Sequence, residues 1–114
     1  MAGWVAMRHT RNVDRKLVYE VVKLIPKGKV SSYGTIARAM GVPGAVRAIG
    51  SIMRANPNPP AIPCHRVVYS DGRLGGFSGR SHIPKKARLL RSEGIRIVNG
   101  RIVDFSRVFH DFRG

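Results

Sequence analysis

Cys64 is the only cysteine of the sequence, and it stands in Pro63-Cys64-His65-Arg66-Val67. A thiolate is a good nucleophile, but a free thiol has a pKa of about 8.5, so it needs a base or positive surroundings to react at neutral pH. His65 offers a base and Arg66 a charge. Neighbours on an extended chain point apart, so His65 would work through a water or with the help of a carboxylate. Six acids could supply one: Asp14, Glu20, Asp71, Glu93, Asp104 and Asp111. Glu93 stands out only because it closes an expected helix beside a glycine stop. A proline-laden run, residues 55–63, leads to the cysteine, and a glycine-rich run, residues 72–79, follows it. The flanking prolines set Cys64 apart from a small buried hydrophobe. Nothing in these residues alone says what the thiol attacks.

A charge balance narrows the partner. The 114 residues carry 21 Lys and Arg against 6 Asp and Glu, a formal net charge of +15. Such a surface suits a polyanion, and because the charge runs through patterned stretches, nucleic acid is the expected partner ahead of an anionic membrane. With one cysteine there is no internal disulfide framework, which fits a reducing compartment. His9, His65, His82 and His110 are scattered without paired ligand spacing, so neither metal nor cofactor is expected. No run has the length and apolarity of a signal peptide or a membrane span. The expectation is one small domain, residues 1–114, working as a cytoplasmic monomer without membrane contact.

The elements that must hold the cysteine can be read in order. Residues 1–11 are a loose lead-in. Apolar positions at Val13, Leu17, Val18, Val21, Val22, Leu24 and Ile25 predict an amphipathic helix over 12–25. Ser31 and Ser32 can cap a second helix over 33–40, which Gly41 ends in a left-handed conformation. Pro43 opens a third helix over 44–55, because proline suits a first helical turn. The two short helices with their tight turn form a helix-turn-helix pattern. On the third helix Ala45, Val46, Ile49, Ile52 and Met53 share one side, and Arg47, Gly50, Ser51 and Arg54 the other. Two small residues between two arginines allow close approach to another surface, either DNA or a further part of this protein.

Beyond the cysteine, residues 67–69, a Ser-Asp-Gly turn and Arg73-Leu74 predict a short strand with a returning strand. Residues 75–79 form a loop. Pro84 opens a last helix over 85–93, with Gly94 as its stop. Residues 95–98 and 101–103 read as a hairpin joined by Asn99-Gly100. Phe105, Phe109 and Phe112 are expected to pack the tail back on the domain. The fold class is therefore mainly α with small β hairpins, a winged-helix-like, helix-turn-helix domain.

At this point the motifs resemble a known family. Ile62-Pro-Cys-His-Arg-Val-Val68 resembles the active-site motif of the O6-alkylguanine-DNA alkyltransferases, the methylated-DNA–protein-cysteine methyltransferases. Lys29-Val-Ser-Ser-Tyr-Gly34, Ala45-Val-Arg-Ala-Ile-Gly50, Met53-Arg-Ala-Asn-Pro57 and Leu89-Leu-Arg-Ser-Glu-Gly94 are similar to its helix-turn-helix approach, recognition helix, asparagine hinge and closing helix. They follow in the family's order over residues 13–97. The resemblance implies a DNA repair protein that binds double-stranded DNA in the minor groove and rotates an O6-alkylguanine out of the stack. It would then move the alkyl group irreversibly to its own cysteine. Cys64 would be the acceptor, His65 its base through water, Glu93 the group orienting the imidazole and Asn56 the brace of the turn. Tyr33 would press on the phosphate beside the target, and Arg47 would fill the gap in the stack, with Gly50, Ser51 and Arg54 along the DNA. Tyr33, Phe77, Ser78 and Gly79 would form the base pocket.

The sequence departs from the family's pattern in three ways. The N-terminal domain of many members has no counterpart. Phe77 stands where a tyrosine is usual, removing a hydroxyl that could hydrogen-bond the flipped base, and Arg80 replaces a small residue. Size, hairpin and aromatic tail are similar to the alkyltransferase-like proteins, which bind and flip alkylated guanine without repairing it and recruit other repair factors. Those usually carry tryptophan at the cysteine's position. The presence of Cys64 favours transfer over sensing. A prokaryotic, nucleoid-associated protein is expected.

Overall fold

The computed structural model describes residues 13–59, 61–75 and 82–112, with His82 described by its backbone alone. Helix α1, Arg15–Lys23, starts where Asp14 accepts a hydrogen bond from the Leu17 amide through its side chain. That is the capping arrangement that satisfies an orphan N–H of the first turn. Its Val18, Tyr19 and Val22 are buried. Strand β1, Ser31–Ser32, runs directly into helix α2, Tyr33–Ala39, which Ser32 caps by accepting from the Thr35 amide at 3.1 Å. Gly41 stops α2 with φ +78°, a conformation that costs any residue with a Cβ about 1 kcal/mol or more.

Helix α3, Val46–Arg54, packs against α1 and α2. It begins two residues later than proline placement suggests. Pro43 sits in a turn closed by the Ala45 amide on the Val42 carbonyl at 2.9 Å, not in the helix. Proline's fixed φ fits the second position of such a turn as well as it fits a first helical turn, so the residue alone could not separate the two.

Strand β2, Val67–Val68, pairs in parallel with β1, Ser31 opposite Val67 and Ser32 opposite Val68. The expected local hairpin therefore does not form. Residues 69–73 make a turn, with the Tyr69 amide on the Arg73 carbonyl at 3.0 Å, and the returning segment leaves β2. Arg73 instead bridges Arg101. Helix α4, His82–Ser92, carries Pro84 in its first turn and stops at Gly94 with φ +89°. Strands β3, Ile97–Val98, and β4, Arg101–Ile102, form the hairpin read from Asn99-Gly100, whose φ values are +53° and +73°. Both positive angles belong to a type I′ turn. A single turn, α5, Phe105–Val108, then returns the tail to β1: the Val30 amide bonds the Val108 carbonyl at 2.9 Å and the His110 amide bonds Val30 at 2.7 Å. Phe105 and Phe109 meet with ring centroids 5.3 Å apart.

The core is double. One cluster joins α1, α2 and α3 through Val18, Val22, Ile36, Ile49 and Val67. The other joins Val30, Val68, Leu74, Leu90, Ile95 and Ile102. The β1–β2 pair lies between them. Among the described residues no helix is long and apolar enough to cross a membrane.

Candidate functional site

The chain enters the site through a tight, proline-fixed corner. Asn56 Nδ2 donates to the Ile62 carbonyl at 2.8 Å, and its Oδ1 accepts from the Asn58 amide at 2.8 Å, so one side chain ties both ends of the loop. Pro63 then adopts φ −80° and ψ 62°, and the Cys64 amide bonds back to the Ile62 carbonyl at 2.8 Å. That is an inverse γ-turn, and the pyrrolidine ring holds its φ. Residues Cys64–Arg66 follow as one turn of 3₁₀ helix leading into β2. Cys64 is half-buried and its thiol is free.

The 3₁₀ turn fans its side chains apart, so sequence adjacency becomes division of labour. His65 is buried, and its Nε2 lies 2.9 Å from Glu93 Oε2. Arg66 grips the same carboxylate with both prongs, Nε to Oε1 at 2.9 Å and Nη2 to Oε2 at 2.7 Å, while its Nη1 donates to the Ile25 carbonyl at 2.8 Å. Burial acts to raise the Glu93 carboxyl, but the hydrogen bonds and charges of Arg66 and His65 outweigh it and hold the group down at about 2. Burial lowers the His65 imidazole more than Glu93 raises it. At neutral pH the ring is thus neutral; with Nε2–H donating to the anionic Glu93, Nδ1 is left as the basic nitrogen.

In front of this triad lies a cavity of about 270 Å³ between α3 and α4. Cys64, His65, Asn56 and Tyr33 line it, with Gly50, Met53 and Arg54 from α3 and Lys86 and Leu89 from α4. Of the residues singled out in the sequence, the structure brings Tyr33, Gly50, Arg54, Asn56, Cys64 and His65 to this one space, with Glu93 behind it. Arg47 and Ser51 do not line it; both are exposed on α3. Gly50 is buried at the cavity wall, so the pair of small residues is split between two faces. Phe77, Ser78 and Gly79 lie outside the described residues.

Two residues of the site escaped the sequence reading. Arg66 was legible as a charge near the thiol, yet it works as the fork that fixes Glu93. Lys86 was not singled out. Its ammonium donates to the Val67 carbonyl at 2.6 Å and to the Tyr33 hydroxyl at 3.4 Å, and burial pulls it down to about 8 against the opposing influence of Cys64. Helical spacing carried the signal: Lys86, Leu90 and Glu93 are four and three apart and share a face. Burial, then Tyr69 and Cys64, push the Tyr33 phenol up, so its hydroxyl stays protonated.

Comparison with known proteins gives the family. Residues 14–95 match the family described as 6-O-methylguanine DNA methyltransferase, DNA binding domain, and the chain belongs to that family. It is similar to the methylated-DNA–protein-cysteine methyltransferase of Rattus norvegicus, 43% identical over 81 residues, covering 71% of this chain and 38% of that protein. It is also similar to a DNA base-flipping protein of Thermus thermophilus, 45% identical over 80 residues, covering 70% of this chain and 52% of that protein. Among solved structures, S. pombe Atl1 in complex with damaged DNA containing O6-carboxymethylguanine superposes with a TM-score of 0.77 at 30% identity, over 84% of this chain and 93% of that one. The chain spans about a third of the length of the first curated relatives it matches.

Proposed function

We propose that this chain binds double-stranded DNA as a monomer through the minor groove, rotates an O6-alkylguanine into the cavity and takes its alkyl group on Cys64 Sγ. The observation that carries this reading is the half-buried Cys64 lining a cavity beside a neutral His65 whose tautomer Glu93 and Arg66 fix. On this reading His65 Nδ1 accepts the thiol proton through a water. The Sγ–carbon bond forms as the carbon–O6 bond breaks. The electron pair stays on guanine, which takes up one proton and is restored, while the cysteine becomes a thioether. Nothing regenerates the thiol, so each molecule acts once.

The remaining roles belong to the same proposal. Asn56 braces the turn under Cys64. Tyr33 meets the phosphate beside the target. Arg47, exposed on α3, enters the stack in place of the base, and Gly50, Ser51 and Arg54 follow the DNA. Phe77, Ser78 and Gly79 complete the base pocket. Unstacking a base costs a few kcal/mol, which an inserted side chain and a pocket can offset.

The likeness to S. pombe Atl1 across most of both chains favours a second reading, a lesion-binding protein that flips alkylated guanine without accepting the group and signals to other repair proteins. Intact-protein mass spectrometry after incubation with an O6-methylguanine duplex separates the two. A single methyl increment mapped to Cys64, absent from Cys64→Ser, is the expected result. Lesion-selective binding without an increment, in a sample whose thiol is free, would replace transfer by sensing.

A further inference from the structure

Tyr33 has a second side. Away from Cys64 it walls another cavity of about 260 Å³, lined by Ser32, Gly34, Arg38, Ser70, Asp71 and Arg73. Two exposed arginines reach it, one from α2 and one from the turn after β2. Arg38 curls back along α2, its Nη2 donating to Thr35 Oγ1 at 3.2 Å, and Thr35 is itself buried and bonded to Ser32 Oγ at 2.7 Å. The guanidinium comes so far back that a Cβ on Gly34 would stand 3.7 Å from Arg38 Nη1. Arg73 lies over the Tyr69 ring, 5.0 Å from its centroid, and that ring is tilted against Tyr33 at 5.8 Å. Its Nε is spent on Asp71 Oδ2 at 2.8 Å. Its two terminal nitrogens make no hydrogen bond among the described residues.

Two cations against one carboxylate leave this cavity positive. Guanidinium donors at fixed angles match the oxygens of a phosphodiester better than a mobile ammonium does. We infer that this cavity seats a DNA backbone phosphate adjoining the nucleotide whose base enters the Cys64 cavity, with Arg38 and Arg73 as its grip. The inference rests on the base-rotating reading above, because only then does one nucleotide have groups on both sides of Tyr33. It assigns Arg38 and Arg73 a role that is indifferent to the lesion: they fix the backbone while the base turns. Phosphate contacts position a protein on the duplex and carry no sequence information.

The test is the salt dependence of binding to an O6-methylguanine duplex and to its undamaged twin, for the wild type, Arg38→Gln, Arg73→Gln and the double variant. Arg96→Gln, an exposed cation away from both cavities, is the control for charge alone. Each phosphate contact contributes about 0.9 to the slope of log affinity against log salt. Arg38→Gln and Arg73→Gln should each lower that slope by about this amount, weaken both duplexes alike, and exceed Arg96→Gln at least twofold. Single methylphosphonates placed next to the lesion supply a check that needs no mutation. One position should reproduce the loss in the wild type and add nothing in the double variant. Slopes for Arg38→Gln and Arg73→Gln no different from Arg96→Gln, in a protein whose wild type still prefers the lesion or gains the methyl group, would overturn the seat. A wild type with neither lesion preference nor methyl gain would instead sink the reading beneath it.

Discussion

Glu93→Gln isolates the ion that holds the site's geometry. The side chains of Glu93 and Arg66 are only 11% and 16% exposed, and two contacts of 2.9 and 2.7 Å join them. The carboxyl falls from its ordinary 4.5 to about 2 in the folded chain. At 1.36 kcal/mol per unit, that depression corresponds to about 3 kcal/mol of stability at neutral pH. Breaking such a pair from one side also leaves Arg66 charged and mostly buried, with the Ile25 carbonyl as its remaining partner, a situation that costs about 3–5 kcal/mol. Glutamine keeps the shape and one acceptor, so about 3 kcal/mol is the expected loss. The sign of the pH dependence follows from the depressed carboxyl. Its contribution is complete above 4.5 and is lost as pH falls from there towards 2. Urea unfolding of wild type and Glu93→Gln over this range, with m unchanged, should give curves about 3 kcal/mol apart at neutral pH that converge in acid. A gap below about 1 kcal/mol, the value of an exposed ion pair, or a gap that does not close in acid, would refute the reasoning.

Three further outcomes follow from single residues. The His65 imidazole, lowered by burial, should titrate below 6.5 in an NMR pH series, and its share of stability should fall as pH drops through 6.5 rather than rise; a midpoint above 6.5 would contradict a neutral base. Ser31 Oγ is buried and has no hydrogen-bond partner among the described residues, so Ser31→Ala should leave stability unchanged or raise it by up to about 1 kcal/mol in thermal unfolding, whereas a clear loss would mean the hydroxyl is bonded. Gly94 has φ +89° with nothing within 4 Å of a built Cβ, so Gly94→Ala tests backbone strain without a clash and should cost about 1 kcal/mol; an unchanged unfolding midpoint would show that the turn relaxes.

What the sequence disclosed and what it hid divide along the range of the interactions. Ser32, Gly41 and Gly94 announce helix ends because each acts on amides or dihedrals within a few residues, and Asn99-Gly100 announces its turn for the same reason. The parallel pairing of β1 with β2 joins residues 36 apart in each register pair, and two-residue strands carry no periodicity from which to infer it. The local alternative, a hairpin through residues 70–72, has good turn residues, yet Arg73 finds its partner on β4 instead. The site splits in the same way. Cys64 and His65 are conspicuous by type and neighbourhood. Arg66 is conspicuous too, but whether it serves the thiol or the carboxylate depends on where the 3₁₀ turn points it. Lys86 could have been found from its helical register with Glu93. Its contact with the Val67 carbonyl could not, because that requires knowing that α4 crosses the start of β2.

The position of the β1–β2 pair explains why so small a chain can hold so many oriented groups. Val67 packs into one core cluster and Val68 into the other, so consecutive residues of one strand anchor in opposite directions. On the partner side Val30 enters the second cluster and Tyr33 the first, across the two serines. The pair is therefore pinned from both faces. The groups proposed to act on a base hang directly from its ends: Cys64, His65 and Arg66 immediately before β2, and Tyr33 immediately after β1. The tail adds a third support by bonding both polar groups of Val30. Displacing the nucleophile relative to Tyr33 would require sliding one strand along the other. That slide would pull Val67 and Val68 out of two cores at once, at about 1.5–3 kcal/mol for each buried valine. The wall of the cavity that carries Cys64 and Tyr33 is thus held by packing in both cores at once.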